Sequence, residues 1–442
     1  MNVEQTTLPK KYHDAVLHWQ RHNFPDYGLL PENWEKYFPS DPEFCLCAKM
    51  EVGMGDKVEV GDHKGERRRE KPEELGEEPA KHLLAIIRAQ ASTEFGSIQQ
   101  HEGTLARAQD DEDRFWVLRV MAEELRHGYQ MFHLLVSQDW SQVSGQKAEE
   151  MVEEILSMQT GSHVLDAFNL EYDSFVDNVV FAAVIDRVGK YQLSMQRVCS
   201  YKPFAASMPP MLREEAFHLA AGVIPLRRWV QRAAQGNALI TTNAIQKAFN
   251  KWMPRGLEMF GHEKGGDSNI KFGFKNMKNA EAQALYYDEC RRMVADLNQR
   301  FIRARLPKLS PEEAEALAEK LLRDRGKHDG ISHEDLIQLP DKAFFRRKGD
   351  SAFTMVGFAG ETFTDVEEYV RHLKAHLPEP YLHSRDMKQY VESLRQVAAG
   401  TVTRDQAIKK MPALKRVGGM CPCSKSVRWV MEEGAPTPPS RN

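Results

Sequence analysis

Two short segments of this 442-residue chain carry a carboxylate with an imidazole three positions on: Glu124-Leu125-Arg126-His127 and Glu215-Ala216-Phe217-His218. On a helix that spacing puts both side chains on one face, so one helix can offer both groups to one metal ion. Alone the pattern is weak, because chance supplies roughly one or two such pairs in a chain like this. The setting gives it weight. Glu124 interrupts the apolar stripe Val117, Val120, Met131, Leu134, and Glu215 interrupts Met211, Leu219, Gly222. Two more acids sit the same way: Glu94 among Leu83, Ile87 and Ile98, and Asp186 among Val179, Ala182 and Leu193. Such stripes face a core, where an unneutralised carboxylate is expensive.

In an antiparallel helical hairpin, residues equidistant from the turn lie level. Glu94 and Glu124 are centred on Gln109, in the polar stretch Gln109-Asp110-Asp111-Glu112-Asp113. Asp186 and Glu215 are centred between Ser200 and Tyr201, just before Pro203. Two such hairpins packed face to face gather four carboxylates and two histidines at one depth. Four negative charges balance two divalent cations, the ferritin-like di-iron arrangement of four-helix bundles. Oxygen and imidazole donors without thiolate suit iron or manganese better than structural zinc. Glu124 and Glu215 are expected to bridge the metals, with Glu94 and His127 completing one and Asp186 and His218 the other. Gln90, one turn before Glu94, is expected to hydrogen-bond a ligand, bound water or substrate. Once reduced, such a centre can bind and split O2, the metals carrying the oxidation.

The elements that must hold these residues are helices. Helical periodicity runs through about 81–105, 111–137, 145–158, 173–200, 208–236, 241–256 and 278–305. Further helices are expected near 311–324, 364–376, 384–398 and 403–410, with a short hairpin over 351–363. The expected fold is all-α: an N-terminal extension over 1–80, a ferritin-like bundle over 81–306 and a smaller C-terminal α-rich region over 307–442. Residues 61–80 are charged and nearly free of apolar side chains, which reads as a solvated loop or linker.

Composition narrows the class. Hydrophobic residues make up 41% and charged residues 28%, enough for a sizeable core in a soluble chain. A formal charge of −4 argues against a protein that coats nucleic acid or an acidic membrane. No apolar run approaches the ~20 residues of a membrane span, and the start lacks the apolar core of a secretory signal. Six cysteines are too few for a disulfide scaffold, so a cytoplasmic location is expected.

Several segments resemble the di-iron oxygenase family of benzoyl-CoA epoxidase and the phenylacetyl-CoA epoxidase catalytic subunit. They are Gln90-Ala91-Ser92-Thr93-Glu94, Glu123-Glu124-Leu125-Arg126-His127, Leu165-Asp166-Ala167-Phe168-Asn169, Asp186-Arg187-Val188-Gly189-Lys190-Tyr191-Gln192-Leu193 and Leu212-Arg213-Glu214-Glu215-Ala216-Phe217-His218. Leu257-Glu258-Met259-Phe260-Gly261 and Ser268-Asn269 are similar too. The resemblance covers roughly 85–275, and the six proposed ligands fall on the family's ligand positions. It implies a monooxygenase component with two iron ions that inserts one oxygen atom of O2 into an aromatic acyl-CoA. It also implies a separate flavin and iron–sulfur reductase supplying electrons from NAD(P)H, in a homo- or hetero-oligomeric assembly. The family pattern has Gly, Asp and His where this chain has Leu125, Val188 and Phe217.

Alternatives are a di-iron oxidase or hydroxylase with an unrelated substrate, a ferritin-like iron-binding protein, and a non-catalytic scaffold subunit. The intact ligand set disfavours the last. Cys45, Cys47, Cys421 and Cys423 form two Cys-x-Cys pairs. Their gap is not the usual one of zinc or iron–sulfur motifs, so free thiols are expected. The basic stretch 401–428 reads as a solvated surface.

Overall fold

The computed structural model describes residues 2–23, 30–40, 44–261, 267–348 and 352–410. The fold is all-α, as expected, and consistent with a ferritin-like bundle. Helices α1 (Lys10–Asn23) and α2 (Leu30–Tyr37) precede two long antiparallel helices, α3 (Glu77–Leu105) and α4 (Asp111–Val136). Short helices α5 (Ser141–Ser144) and α6 (Ala148–Leu156) lead to a second hairpin, α7 (Phe175–Val184) and α8 (Asp186–Gln196) against α9 (Lys202–Ala234). The α4 and α9 arms pack on each other and join the hairpins. Then come α10 (Thr242–Met259), α11 (Asp267–Lys271), α12 (Asn279–Arg305), α13 (Pro311–Asp324), α14 (Val366–His376), α15 (Glu379–Leu382), α16 (Arg385–Ala398) and α17 (Arg404–Lys410). Among the described residues no helix is long and apolar enough to cross a membrane.

Local chemistry explains the boundaries that matter for the core. Asp111, Glu112 and Asp113 fill the first turn of α4, where the helix dipole favours negative charge. Ser174 caps α7 by accepting from Val176 N, while the Asp177 carboxylate takes the Asp173 and Ser174 amides. Arg228 near the end of α9 pairs with buried Asp113, pinning the start of α4.

The structure departs from expectation in several places. The helix expected over 173–200 is interrupted at Ile185, immediately before Asp186. Val188 N bonds to Ile185 O three residues back (2.8 Å), a tightened turn. The Arg187 side chain takes the Ala183 carbonyl instead. The next helix begins at Lys202, not 208, and carries Pro209, Pro210 and Pro225 in its interior. Pro209 and Pro210 are buried, so packing outweighs their poor helix propensity. Strands β1 (Val3–Thr6) and β2 (Ala48–Glu51) form an antiparallel ladder, Val3 opposite Glu51 through Thr6 opposite Ala48. The charged segment 61–80 is not simply solvated. Arg68 is 2% exposed and donates to the Lys57 and Cys199 carbonyls, and Arg69 N donates to Ser200 O.

Where a hairpin is expected over 351–363, the described residues 352–363 form a narrow loop closed by an isolated bridge between Val356 and Thr362. The residues after 306 pack on the bundle. Asn298 bonds the Ile337 backbone, Arg347 N donates to Glu258 Oε1, and Asn250 donates to His376 O.

Candidate metal centre

All six expected ligand residues converge in the bundle core. Glu94 comes from α3, Glu124 and His127 from α4, Asp186 from the first turn of α8, and Glu215 and His218 from α9. Both histidines are fully buried, and Glu124, Asp186 and Glu215 are 4–6% exposed. Ligating atoms of Glu124, His127 and His218 lie within 4.8 Å of one another. The two central carboxylates each span both rings. Glu124 Oε2 is 3.7 Å from His127 Nδ1, and its Oε1 is 3.6 Å from His218 Nδ1. Glu215 repeats this, with Oε1 4.0 Å from His127 Nδ1 and Oε2 3.6 Å from His218 Nδ1. Glu94 Oε2 lies on the His127 side at 3.8 Å. Asp186 interacts electrostatically with Glu124, Glu215 and both histidines. Gly189, one turn after Asp186, leaves room for Glu215: a Cβ there would sit 3.2 Å from Glu215 Oε1.

Electrostatics describe a crowded cluster of carboxylates whose charge a proton or a bound cation would relieve. Burial raises Glu94 to about 7, helped by the charges of Glu215 and Asp186. Burial and Glu94 hold Glu124 well above the usual carboxylate range. Burial, Glu124 and Glu215 do the same to Asp186. For His218 burial favours the neutral ring, but the surrounding carboxylates, Glu215 foremost, raise it well above its ordinary value. Among the buried atoms without a hydrogen-bond partner are His127 Nδ1, His218 Nδ1, Asp186 Oδ2 and Glu215 Oε2. Buried polar atoms are rarely orphaned. Here they converge on one space, and their oxygen and imidazole chemistry fits two iron or manganese ions.

Gln90 is not gathered with the six. Its Nε2 donates to Gln196 Oε1 on α8 at 3.0 Å, while its own Oε1 is buried without a partner.

The residues that sequence reasoning missed are Glu123 and Glu214, each directly before a candidate ligand. Glu214 Oε2 is 2.9 Å from His127 Nε2, and Glu123 Oε2 is 3.2 Å from His218 Nε2. Each acid therefore serves the histidine of the other helix. Both are anchored by cations. Glu214 receives Arg126 and Lys49, which together with His127 hold it well below the usual range despite burial. Glu123 receives Arg119 Nε at 3.0 Å. The repeated Glu-Glu-x-x-His was the available signal, but the crossing depends on how α4 and α9 pack.

Cys45 and Cys47 are joined in a disulfide with Cα atoms 5.4 Å apart, which corrects the free-thiol expectation for this pair. That separation lies within disulfide range. Cys421 and Cys423, and the basic stretch beyond residue 410, lie outside the described residues.

A family model described as phenylacetic acid catabolic protein matches residues 70–334, more than half of the chain and all six candidate ligands. The chain belongs to this family. Benzoyl-CoA oxygenase component B of Aromatoleum evansii is 28% identical over 179 residues. That match covers 40% of this chain and 37% of the relative, so the chain spans well under two thirds of that protein.

Proposed function

We propose that this protein is the oxygenase component of a multicomponent di-iron monooxygenase that inserts one oxygen atom of O2 into an aromatic acyl-CoA, of the benzoyl-CoA or phenylacetyl-CoA kind. The observation that carries this is the paired bridging geometry, in which Glu124 and Glu215 each turn one oxygen to His127 and the other to His218. Similarity to benzoyl-CoA oxygenase component B supports the reaction and substrate class. Epoxidation is the form of oxygen insertion this reading favours, with electrons reaching the centre from NAD(P)H through a flavin/iron–sulfur reductase.

In this reading Glu94, Glu124, His127, Asp186, Glu215 and His218 hold two iron ions, which when bound supply the two-electron activation of O2. The chain's own groups do the rest. Glu214 hydrogen-bonds the outward nitrogen of His127 and Glu123 makes a 3.2 Å ion-pair contact with that of His218, while Nδ1 of each ring faces the carboxylates. Buried Val117, Val120, Leu125, Met131 and Leu134 on α4 keep the space dry. Gln90, with its unpartnered Oε1, is a positioning group one turn from Glu94. Residues 81–306 form the catalytic unit in this reading, and 1–80 and 307–442 serve substrate, partner or assembly.

Metal analysis of the anaerobically reconstituted chain tests the centre: about two iron ions per chain are expected, and Glu124→Ala should abolish them. Chemically reduced protein given O2 and benzoyl-CoA should form a product carrying one oxygen atom from labelled O2. Iron retained without oxygen transfer to any acyl-CoA would leave a ferritin-like iron-binding protein as the better reading.

A further inference from the structure

The helices that carry the candidate ligands lie inside the family match, which begins at residue 70, but one of the groups behind those ligands does not. Strand β2 packs on both α4 and α9, the helices that carry the two Glu-x-x-His pairs. Its Lys49 Nζ donates to Glu214 Oε1 at 3.0 Å. The other oxygen, Oε2, receives Arg126 Nε at 2.6 Å and lies 2.9 Å from His127 Nε2. One oxygen of Glu214 therefore faces the histidine and the other faces the N-terminal extension. Lys49 is held in turn. It stands opposite Gln5 in the β1–β2 ladder, and its backbone N donates to Gln130 Oε1 at 2.7 Å. The same oxygen accepts from Arg126 Nη1 at 3.3 Å. Gln130 is fully buried on α4, one turn after Arg126. A single amide oxygen thus ties together the two cations that hold Glu214.

Two cations on one carboxylate do different things. Arg126 meets the oxygen that also serves His127, so it supplies charge without setting the plane of the carboxylate. A carboxylate held at one oxygen can still turn, because its terminal torsion is broad. Glu214 is 16% exposed, so water would compete for Oε1 if Lys49 were absent. A charged hydrogen bond on Oε1 fixes the plane, and with it the direction from which Oε2 meets His127. The orientation of a metal-ligating imidazole follows the group behind its outer nitrogen. The extension also reaches the acid beside the other histidine, but less directly. The Trp34 ring on α2 lies 5.7 Å from the Arg119 guanidinium, whose Nε donates to Glu123 Oε1 at 3.0 Å. That cation–aromatic contact adds no hydrogen bond to Glu123 itself, so Lys49 is the stronger of the two links.

We propose that the N-terminal extension is a working part of the metal centre, with Lys49 as a positioning residue that sets Glu214 and, through it, the His127 imidazole. The inference rests on the di-iron reading above and deepens it. Lys49 touches neither metal nor substrate and acts only through the carboxylate. The ligands belong to the family-matched bundle, whereas this part of their geometry comes from residues outside the match.

Competition with a chelator for iron, on the anaerobically reconstituted full chain, tests this. Lys49→Met keeps the stem and removes the charge, and should lower iron affinity about tenfold, the smaller end of the range for groups behind a ligand. Lys49→Arg keeps the charge and should restore most of that loss. A double-mutant cycle with Glu214→Gln separates positioning from general support. If Lys49 acts through Glu214, Lys49→Met should cost nothing further once residue 214 has lost its charge. The Lys49 side chain is 25% exposed, so the metal-free melting temperature of Lys49→Met should match wild type. Wild-type affinity in Lys49→Met would overturn the positioning role and leave the centre intact. So would a loss of equal size with and without the Glu214 carboxylate, whether or not the melting temperature falls with it. A wild-type chain that retains no iron would overturn the di-iron reading and this inference together.

Discussion

His127 on α4 and Glu214 on α9 meet through Nε2 and Oε2 at 2.9 Å, across the interface that joins the two halves of the bundle. Its counterpart runs the other way, from His218 on α9 to Glu123 on α4 at 3.2 Å. In the proposed centre each helix thus supplies a bridging acid, an imidazole, and the acid beside its partner's imidazole. This ties metal geometry to the packing of α4 on α9. A shift of one helix would disturb both histidines.

Loss of Glu214 is therefore expected to damage the centre without removing a ligand. Glu214→Gln keeps shape but cannot balance Arg126, Lys49 and the His127 ring. Iron affinity should fall about 10–100-fold, measured by competition with a chelator. Glu123→Gln should behave alike through His218. A loss of fold instead of a loss of affinity, seen as a collapsed melting transition, would count against an orienting role.

Neutralising one bridging acid should have opposite effects with and without metal. Glu124 stands among partly buried Glu94 and buried Asp186 and Glu215. Glu124→Gln removes one member of this repelling group, so the metal-free chain should melt a few degrees higher, equivalent to about 1 kcal/mol or more. The same variant should lose the melting increase that iron confers on wild type. Equal melting of the two metal-free proteins would mean that the carboxylates do not strain the empty fold.

Much of this was readable from spacing. The midpoints at Gln109 and at Ser200–Tyr201 fall in the loops that close the two hairpins, after Leu105 and after Gln196. That is why Glu94 levels with Glu124, and Asp186 with Glu215. What spacing does not carry is contact between helices. The crossing of Glu123 and Glu214, the buried Arg68 and the reach of Lys49 to Glu214 all depend on which distant backbone lies opposite. The start of α9 at Lys202, ahead of the expected 208, and its buried Pro209 and Pro210 likewise depend on packing, since tertiary contacts override a local rule.

Metal affinity should rise with pH across the neutral range. In the metal-free fold Glu94 titrates at about 7, raised from 4.5, and Glu124 and Asp186 are raised as well. Below pH 7 the folded chain holds protons that a metal must displace. These acids favour the metal-free fold while protonated, and that contribution fades as pH climbs from the unfolded value near 4.5 through the folded value. Iron should therefore bind more tightly, and stabilise more, at pH 7.5 than at pH 5.5. A melting increase on iron loading that is independent of pH would contradict the assignment of these carboxylates as ligands.

Close backbone approach is the last requirement of the site. At Gly222, one turn beyond His218 on α9, an added Cβ would lie 2.3 Å from Ala183 N and 2.7 Å from Ala183 Cα. These are backbone atoms of α7 and cannot rotate away. Gly222→Ala should therefore push α9 from α7 and cost about 2–3 kcal/mol. Ala183 is three residues before Asp186, so the displacement falls between Asp186 and the pair Glu215–His218. Iron content should drop together with melting temperature. Gly103→Ala on α3, where no atom lies within 4 Å of the added Cβ, is the control and should leave both unchanged.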